Sequence, residues 1–144
     1  MKKLLSIFFL ILLSSYSKVQ ESYSLTVRVS ELKNSTGVVL FVLYNKDGSI
    51  PDDKLKKYYR KEIAPITKNS ATLTFNNLPK GNYAVFILHD ENQNNKIDKT
   101  FVLPTEGVGF SNFQTLNLAN RPNFSKASFQ IKEDLIKSIK IIYK

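Results

Sequence analysis

Apolar and polar residues alternate with a period of two along most of the chain, the signature of strands with one buried face. In residues 23–30, Tyr23, Leu25, Val27 and Val29 fall on one side and Ser24, Thr26, Arg28 and Ser30 on the other. After Gly37 the pattern changes to a continuous apolar run, VVLFVLYN, rich in β-branched and aromatic residues. Such a run suits a central strand covered on both faces. Further strands are predicted over residues 71–75, 83–88, 125–131 and 138–143, bounded by turn sequences such as NNLPKGN and KEDLIK, with shorter ones at 63–67 and 116–118. A helical spacing of three and four occurs only in residues 52–63, through Leu55, Tyr58, Tyr59 and Glu62. Pro51 and the two following aspartates would form its first turn, which predicts a short helix near 53–62. Strands at this density without intervening helices predict an all-β fold, an immunoglobulin-like or transthyretin-like antiparallel β-sandwich of about seven strands with at most one short helix.

The N-terminus follows a different rule. Lys2 and Lys3 precede an apolar run over residues 4–13 broken only by Ser6, and the SSYS segment supplies small residues for cleavage. Residues 1–17 therefore read as a removable signal peptide cut near Ser17. The run is too short for a transmembrane anchor, which takes about 20 residues. Export to the periplasm or beyond the cell follows. The chain has no cysteine, which excludes a lipid-modified N-terminal Cys, a disulfide framework and thiol chemistry. Residues 18–144 make one β-sandwich domain, expected as a monomer, since no linker, repeat or low-complexity tract divides them. The formal charge is +9, partly gathered in KLKKYYRK at 54–61. In an exported protein that cluster reads as a solvated face and not as a nucleic-acid surface.

Candidate chemistry concentrates after the fourth long strand, in HDENQNNKIDKTFVLPTEGVGFSN, residues 89–112. Asp90, Asn92, Asn94 and Asp98 occupy the first, third, fifth and ninth positions of a calcium-type loop, and the carbonyl of Lys96 would supply the seventh. Hard cations such as Ca²⁺ take oxygen ligands in this rhythm. The twelfth position is Phe101 where a bidentate Glu is usual, so a further carboxylate would come from Glu106. The sixth is Asn95 where glycine is usual, and Asn tolerates the left-handed backbone a sharp turn needs. The competing reading is a polar surface connection in which Asp and Asn make Asx-turns.

Several separated motifs carry a resemblance. Residues Leu78-Pro79-Lys80-Gly81-Asn82-Tyr83-Ala84-Val85, then His89-Asp90-Glu91-Asn92-Gln93-Asn94, Asp98, and Pro104-Thr105-Glu106-Gly107-Val108-Gly109-Phe110-Ser111-Asn112, occur in the order of the bacterial family known as domain of unknown function 2141. Pro122, Phe124, Ala127 and a closing strand ending in Tyr143 are similar to that family's C-terminal part. The resemblance spans residues 18–144, and implies an exported β-sandwich with no established activity. The LPxGxY segment also resembles the strand entry of extracellular immunoglobulin-like and carboxypeptidase-regulatory-type modules, which implies an accessory or adhesive role. The departure from the family pattern is the missing glycine after Asn94.

His89 is the only histidine, so histidine-dependent catalysis would pass through it. Adjacent residues on a strand point to opposite faces, which places His89 and Asp90 poorly as an orienting pair. One histidine and no cysteine argue against zinc, and no G-x-S-x-G elbow is present. Gly107 and Gly109 permit close backbone approach, either to a ligand or within the fold, and Phe110 is expected to plug the end of the sandwich. The expectation is therefore a non-enzymatic binding or accessory module for an unknown protein or small ligand, with a calcium-stabilised loop. The alternative is an enzyme centred on His89, Asp90 and Glu106.

Overall fold

The computed structural model describes residues 19–144, so the expected leader at 1–17 lies outside the described residues. The strands are β1 (Ser22–Val29), β2 (Val38–Tyr44), β3 (Arg60–Pro65), β4 (Ala71–Pro79), β5 (Gly81–Asp90), β6 (Lys99–Thr100), β7 (Leu103–Pro104), β8 (Gly107–Phe110), β9 (Phe129–Ile131) and β10 (Leu135–Ile139), with α1 (Phe124–Ala127) before β9. One sheet runs β10-β1-β4 and the other β3-β2-β5-β8, with β9 added to the start of β5. β6 and β7 form a separate small hairpin. Pairing is antiparallel except between β1 and β10, which run parallel from Leu25 opposite Leu135 to Val29 opposite Ile139. Residues 19–144 form an all-β sandwich, as the alternation predicts, with one short helix among the described residues.

The side chains explain why both sheets hold. Leu25, Val27 and Val29 of β1, Phe41 of β2, Phe75 of β4, and Val85 and Ile87 of β5 meet in the space between the sheets. The opposite faces of β2 and β5 are also covered: Leu40, Val42, Ala84, Phe86 and Leu88 pack under Ile50, Leu55, Phe113, Phe124 and Ala127 from the long connections. Burial on both faces is what the unbroken apolar run of β2 demands. Among the described residues, no helix is long and apolar enough to cross a membrane.

Four local expectations require correction. The helix expected near 53–62 does not form. Leu55 adopts a left-handed backbone with φ of 49°. The Asp52 carboxylate accepts the N–H groups of Lys56 and Lys57 at 2.9 and 2.8 Å, and from Arg60 the chain is strand β3. Side-chain capping has outcompeted helical turns. The strand expected at 125–131 begins only at Phe129, because Asn123 caps α1 by accepting the N–H of Lys126 at 2.9 Å. The closing strand lies earlier than expected, at Leu135–Ile139, followed by an isolated bridge between Ile142 and Val108. Residues 116–118 form no strand, since the Asn117 side chain folds the chain back by accepting the N–H groups of Ala119 and Asn120.

Candidate functional site

The site grows out of the end of β5, whose alternation continues to its last two residues. Tyr83, Val85 and Ile87 face the inter-sheet core, and Ala84, Phe86 and Leu88 face the outer layer. His89 and Asp90 therefore turn to opposite sides of the sheet, both fully buried. The chain enters the region through Gly37, at φ of 77°, where a Cβ would collide with the Asp90 carbonyl and lie 2.6 Å from the Glu91 Cα. Only glycine fits there.

Asp90 organises the loop after it. Its two carboxylate oxygens accept the backbone N–H groups of Asn94 at 3.1 Å and Asn95 at 2.8 Å. Asn92 Oδ1 accepts the same Asn94 N–H at 3.0 Å, and Asn94 Oδ1 accepts the Lys96 N–H at 2.9 Å. Gln93 and Asn95 both take the left-handed conformation, at φ of 57° and 58°, the sharp turn for which Asn95 stands in place of glycine. Across the loop, the Asp98 carboxylate accepts the side-chain amides of Asn92 at 2.6 Å and of Asn94 at 2.9 and 3.0 Å. The structure thus brings Asp90, Asn92, Asn94 and Asp98 into one ring. Lys96 enters it through its N–H and not through the carbonyl expected as a ligand. Among the described residues, no three His, Cys, Asp or Glu side chains stand close enough together to hold a metal. The ring is built from side-chain oxygens of two aspartates and two asparagines that accept backbone N–H groups, with the Asn92 and Asn94 amides turned onto Asp98.

Glu106 lies at the base of this ring. One oxygen accepts the Glu91 N–H at 2.9 Å, while the other, Oε2, is buried with no hydrogen-bond partner among the described residues. The residue is only 7% exposed. Burial raises the pKa of its carboxyl, the Asp90 and Asp98 charges push it the same way, and the backbone N–H groups of Glu91 and Asn92 oppose the shift. A buried acceptor without a donor costs about 1–3 kcal/mol, and a cation is one group that would satisfy it.

His89 has no such vacancy. Its Nε2 lies 2.8 Å from the Thr36 carbonyl, which can only accept, so this nitrogen carries the proton. Nδ1 then accepts from the Tyr143 hydroxyl at 2.7 Å, and that hydroxyl in turn accepts the Lys33 N–H at 3.2 Å. Burial raises the Tyr143 pKa, which keeps the donor protonated. Both ring nitrogens are engaged in the interior, so His89 offers no base to a substrate. Nearby, Glu91 is held by Lys33 Nζ at 2.9 Å and Asn34 Nδ2 at 2.8 Å. Burial raises its pKa, but these two bonds and the Lys33 charge outweigh it, and the net shift is downward.

The G-V-G-F-S-N run proves architectural. A Cβ on Gly107 would strike the Tyr143 ring and lie 2.6 Å from Ile141 Cγ2, and one on Gly109 would lie 2.5 Å from the Lys140 carbonyl. The close approach these glycines allow is thus used by the chain's own C-terminal segment. Phe110 packs on Phe86, with ring centroids 4.9 Å apart. Ser111 joins β5 to α1, accepting the Val85 N–H at 2.9 Å and donating to the Ala127 carbonyl at 2.6 Å. Asn112 donates to the Lys126 and Ser128 carbonyls at the end of α1. Sequence reasoning missed Gly37, Thr36, Lys33 and Tyr143 as parts of this region. Only the glycine carried a local signal, its place at the start of an apolar run.

Fold and loop together define a small all-β sandwich with a polar, carboxylate-bearing loop at one end. The chain belongs to the family described as "Uncharacterized protein conserved in bacteria (DUF2141)", whose model matches residues 27–138. No curated protein matches it. Among solved structures, a fimbrial assembly protein from Parabacteroides distasonis ATCC 8503 is similar at 8% identity and a TM-score of 0.42, over 85% of this chain and 53% of that one. The chain thus spans about half the length of that protein, and the likeness is too distant to carry an argument about function.

Proposed function

We propose that this protein is an exported, non-enzymatic accessory or binding module whose end loop takes up a calcium ion through Asp90, Asn92, Asn94, the Lys96 carbonyl, Asp98 and Glu106. The observation that carries the reading is the buried, unpartnered Oε2 of Glu106 beside the Asp90 and Asp98 charges. The Asp90 and Asp98 charges raise the Glu106 pKa without the three carboxylates forming a ready-made cluster, and a divalent cation drawing them together would turn that repulsion into coordination. Asp90 and the asparagine oxygens already accept loop N–H groups, but each oxygen keeps a second lone pair. The Asn92 and Asn94 amides donate to Asp98 and would have to rotate away for its carboxylate to meet a cation. Export rests on the Lys2-Lys3 start and the apolar run at 4–13.

With the twelfth-position Glu absent, affinity belongs at the extracellular end of the range, with Kd about 10⁻⁴ to 10⁻³ M. Calcium at about a hundred times Kd would then add roughly 2.7 kcal/mol to folding stability. Thermal melting of the wild type and Asp90→Ala, with and without millimolar calcium, tests this. A calcium-dependent rise in Tm confined to the wild type is expected. No rise in the wild type eliminates the site and leaves an Asx-turned loop, and an equal rise in both proteins places the ion elsewhere.

A further inference from the structure

The β6–β7 hairpin breaks two rules at once. Thr100 pairs with Leu103, so Phe101 and Val102 form a two-residue turn. Phe101 adopts a left-handed backbone with φ of 58°. Turn positions of that kind are filled by Gly, Asn or Asp, because a bulky side chain is strained there. The same residues are held out in water: Phe101 is 97% exposed, Val102 74% and Leu103 43%. Strained backbone and exposed apolar surface at one tip gain nothing within the described fold, and local violations of this sort mark sites selected for something else.

The charges around the tip indicate what covers it. Lys96 and Lys99 precede it in sequence, and Lys99 Nζ reaches Asp53 Oδ1 at 2.6 Å. That ion pair fastens the hairpin to the turn carrying the exposed residues Lys54, Lys56 and Lys57. Of the nearby acids, Asp53 is ion-paired with Lys99, while Asp98 is turned inward onto the Asn92 and Asn94 amides. We propose that the Phe101–Val102–Leu103 tip inserts into an anionic lipid surface, with Lys54, Lys56, Lys57 and Lys96 against the headgroups. A stable protein partner needs about 800 Å² of matching surface on each side, which a convex three-residue tip does not present. A bilayer interface receives such a tip without a matching surface and attracts the basic residues beside it.

The chain contains no tryptophan, so Phe101→Trp places a single indole reporter on the tip of the full chain. Emission from that position reports the tip itself, whatever residues 1–18 do. With calcium chelated, which keeps the test separate from the proposed cation site, vesicles containing phosphatidylglycerol should shift the emission to the blue. Brominated acyl chains should quench it. Partitioning should be about tenfold or more weaker on phosphatidylcholine alone, and should be lost in high salt. Leu103→Trp repeats the measurement should the first variant fold poorly. An indole that stays fully exposed at every lipid concentration overturns the proposal and leaves the tip to a protein partner, and equal shifts on neutral vesicles overturn its anionic part.

Discussion

Two neighbours on one strand, His89 and Asp90, have the same burial and opposite fates. His89 faces the inter-sheet core and finds every partner it needs in Thr36, Tyr143 and, through Tyr143, Lys33. Asp90 faces the other way into a loop whose base retains an unpaired carboxylate oxygen on Glu106. A buried polar group with all its bonds made within the chain supports the fold, whereas one left short of a partner supports binding. The only histidine is therefore built into the fold, and the proposed function rests on the acids beside it.

Gly37 supports both regions, so its replacement should have the largest effect. Gly37→Ala would drive a methyl group into the Asp90 carbonyl at a positive φ. Urea denaturation should show a loss of more than ~3 kcal/mol or failure to fold, and a mild effect would mean the two strand ends are less tightly joined than described. Tyr143→Phe separates the regions. It removes the donor to His89 Nδ1 and the acceptor for the Lys33 N–H, and should cost about 1–3 kcal/mol while leaving any calcium-dependent rise in Tm intact. Loss of that rise would show that the two networks are one.

Glu106→Gln should act in the opposite direction. The folded-state pKa of Glu106 is raised. Between the unfolded value, about 4.3, and the raised folded value, the native state holds a proton that the unfolded state has released. Stability from this group is therefore lost as pH rises through that window. At neutral pH without calcium, Glu106→Gln should stabilise by about 1 kcal/mol and flatten that part of the pH profile, measured by melting between pH 4 and 8. Destabilisation would mean that the carboxylate is already satisfied. The smallest effect belongs to Phe101→Asn, since a fully exposed residue at positive φ contributes little packing. Its stability should stay within about 0.5 kcal/mol of wild type, or rise slightly because Asn suits that backbone.

The strands that the periodicity exposed most clearly, β1 and β2, are those whose side chains alternate between core and water or are buried on both faces. The helix near 53–62 was misread because Asp52 could either start a helix or cap a turn, and a local pattern does not choose between them. The short strands β6 and β7 were illegible, since two residues carry no periodicity. In the loop, the closeness of Asp90, Asn92, Asn94 and Asp98 was legible in their spacing, as was the left-handed Asn95, and their side chains make the Asx-type bonds of the competing reading. Tyr143 was not legible, since it meets His89 across more than fifty residues of sequence, and only the C-terminal crossing permitted by Gly107 and Gly109 brings it there.

The most direct test of a binding loop set beside a closed histidine is calorimetric titration of Ca²⁺ into the wild type and Glu106→Gln. One site with Kd about 10⁻⁴ to 10⁻³ M in the wild type, weakened at least tenfold in Glu106→Gln and unchanged in Tyr143→Phe, is the predicted result. No saturable binding to the wild type, or identical binding to Glu106→Gln, would contradict the assignment of the unpaired carboxylate oxygen as a ligand.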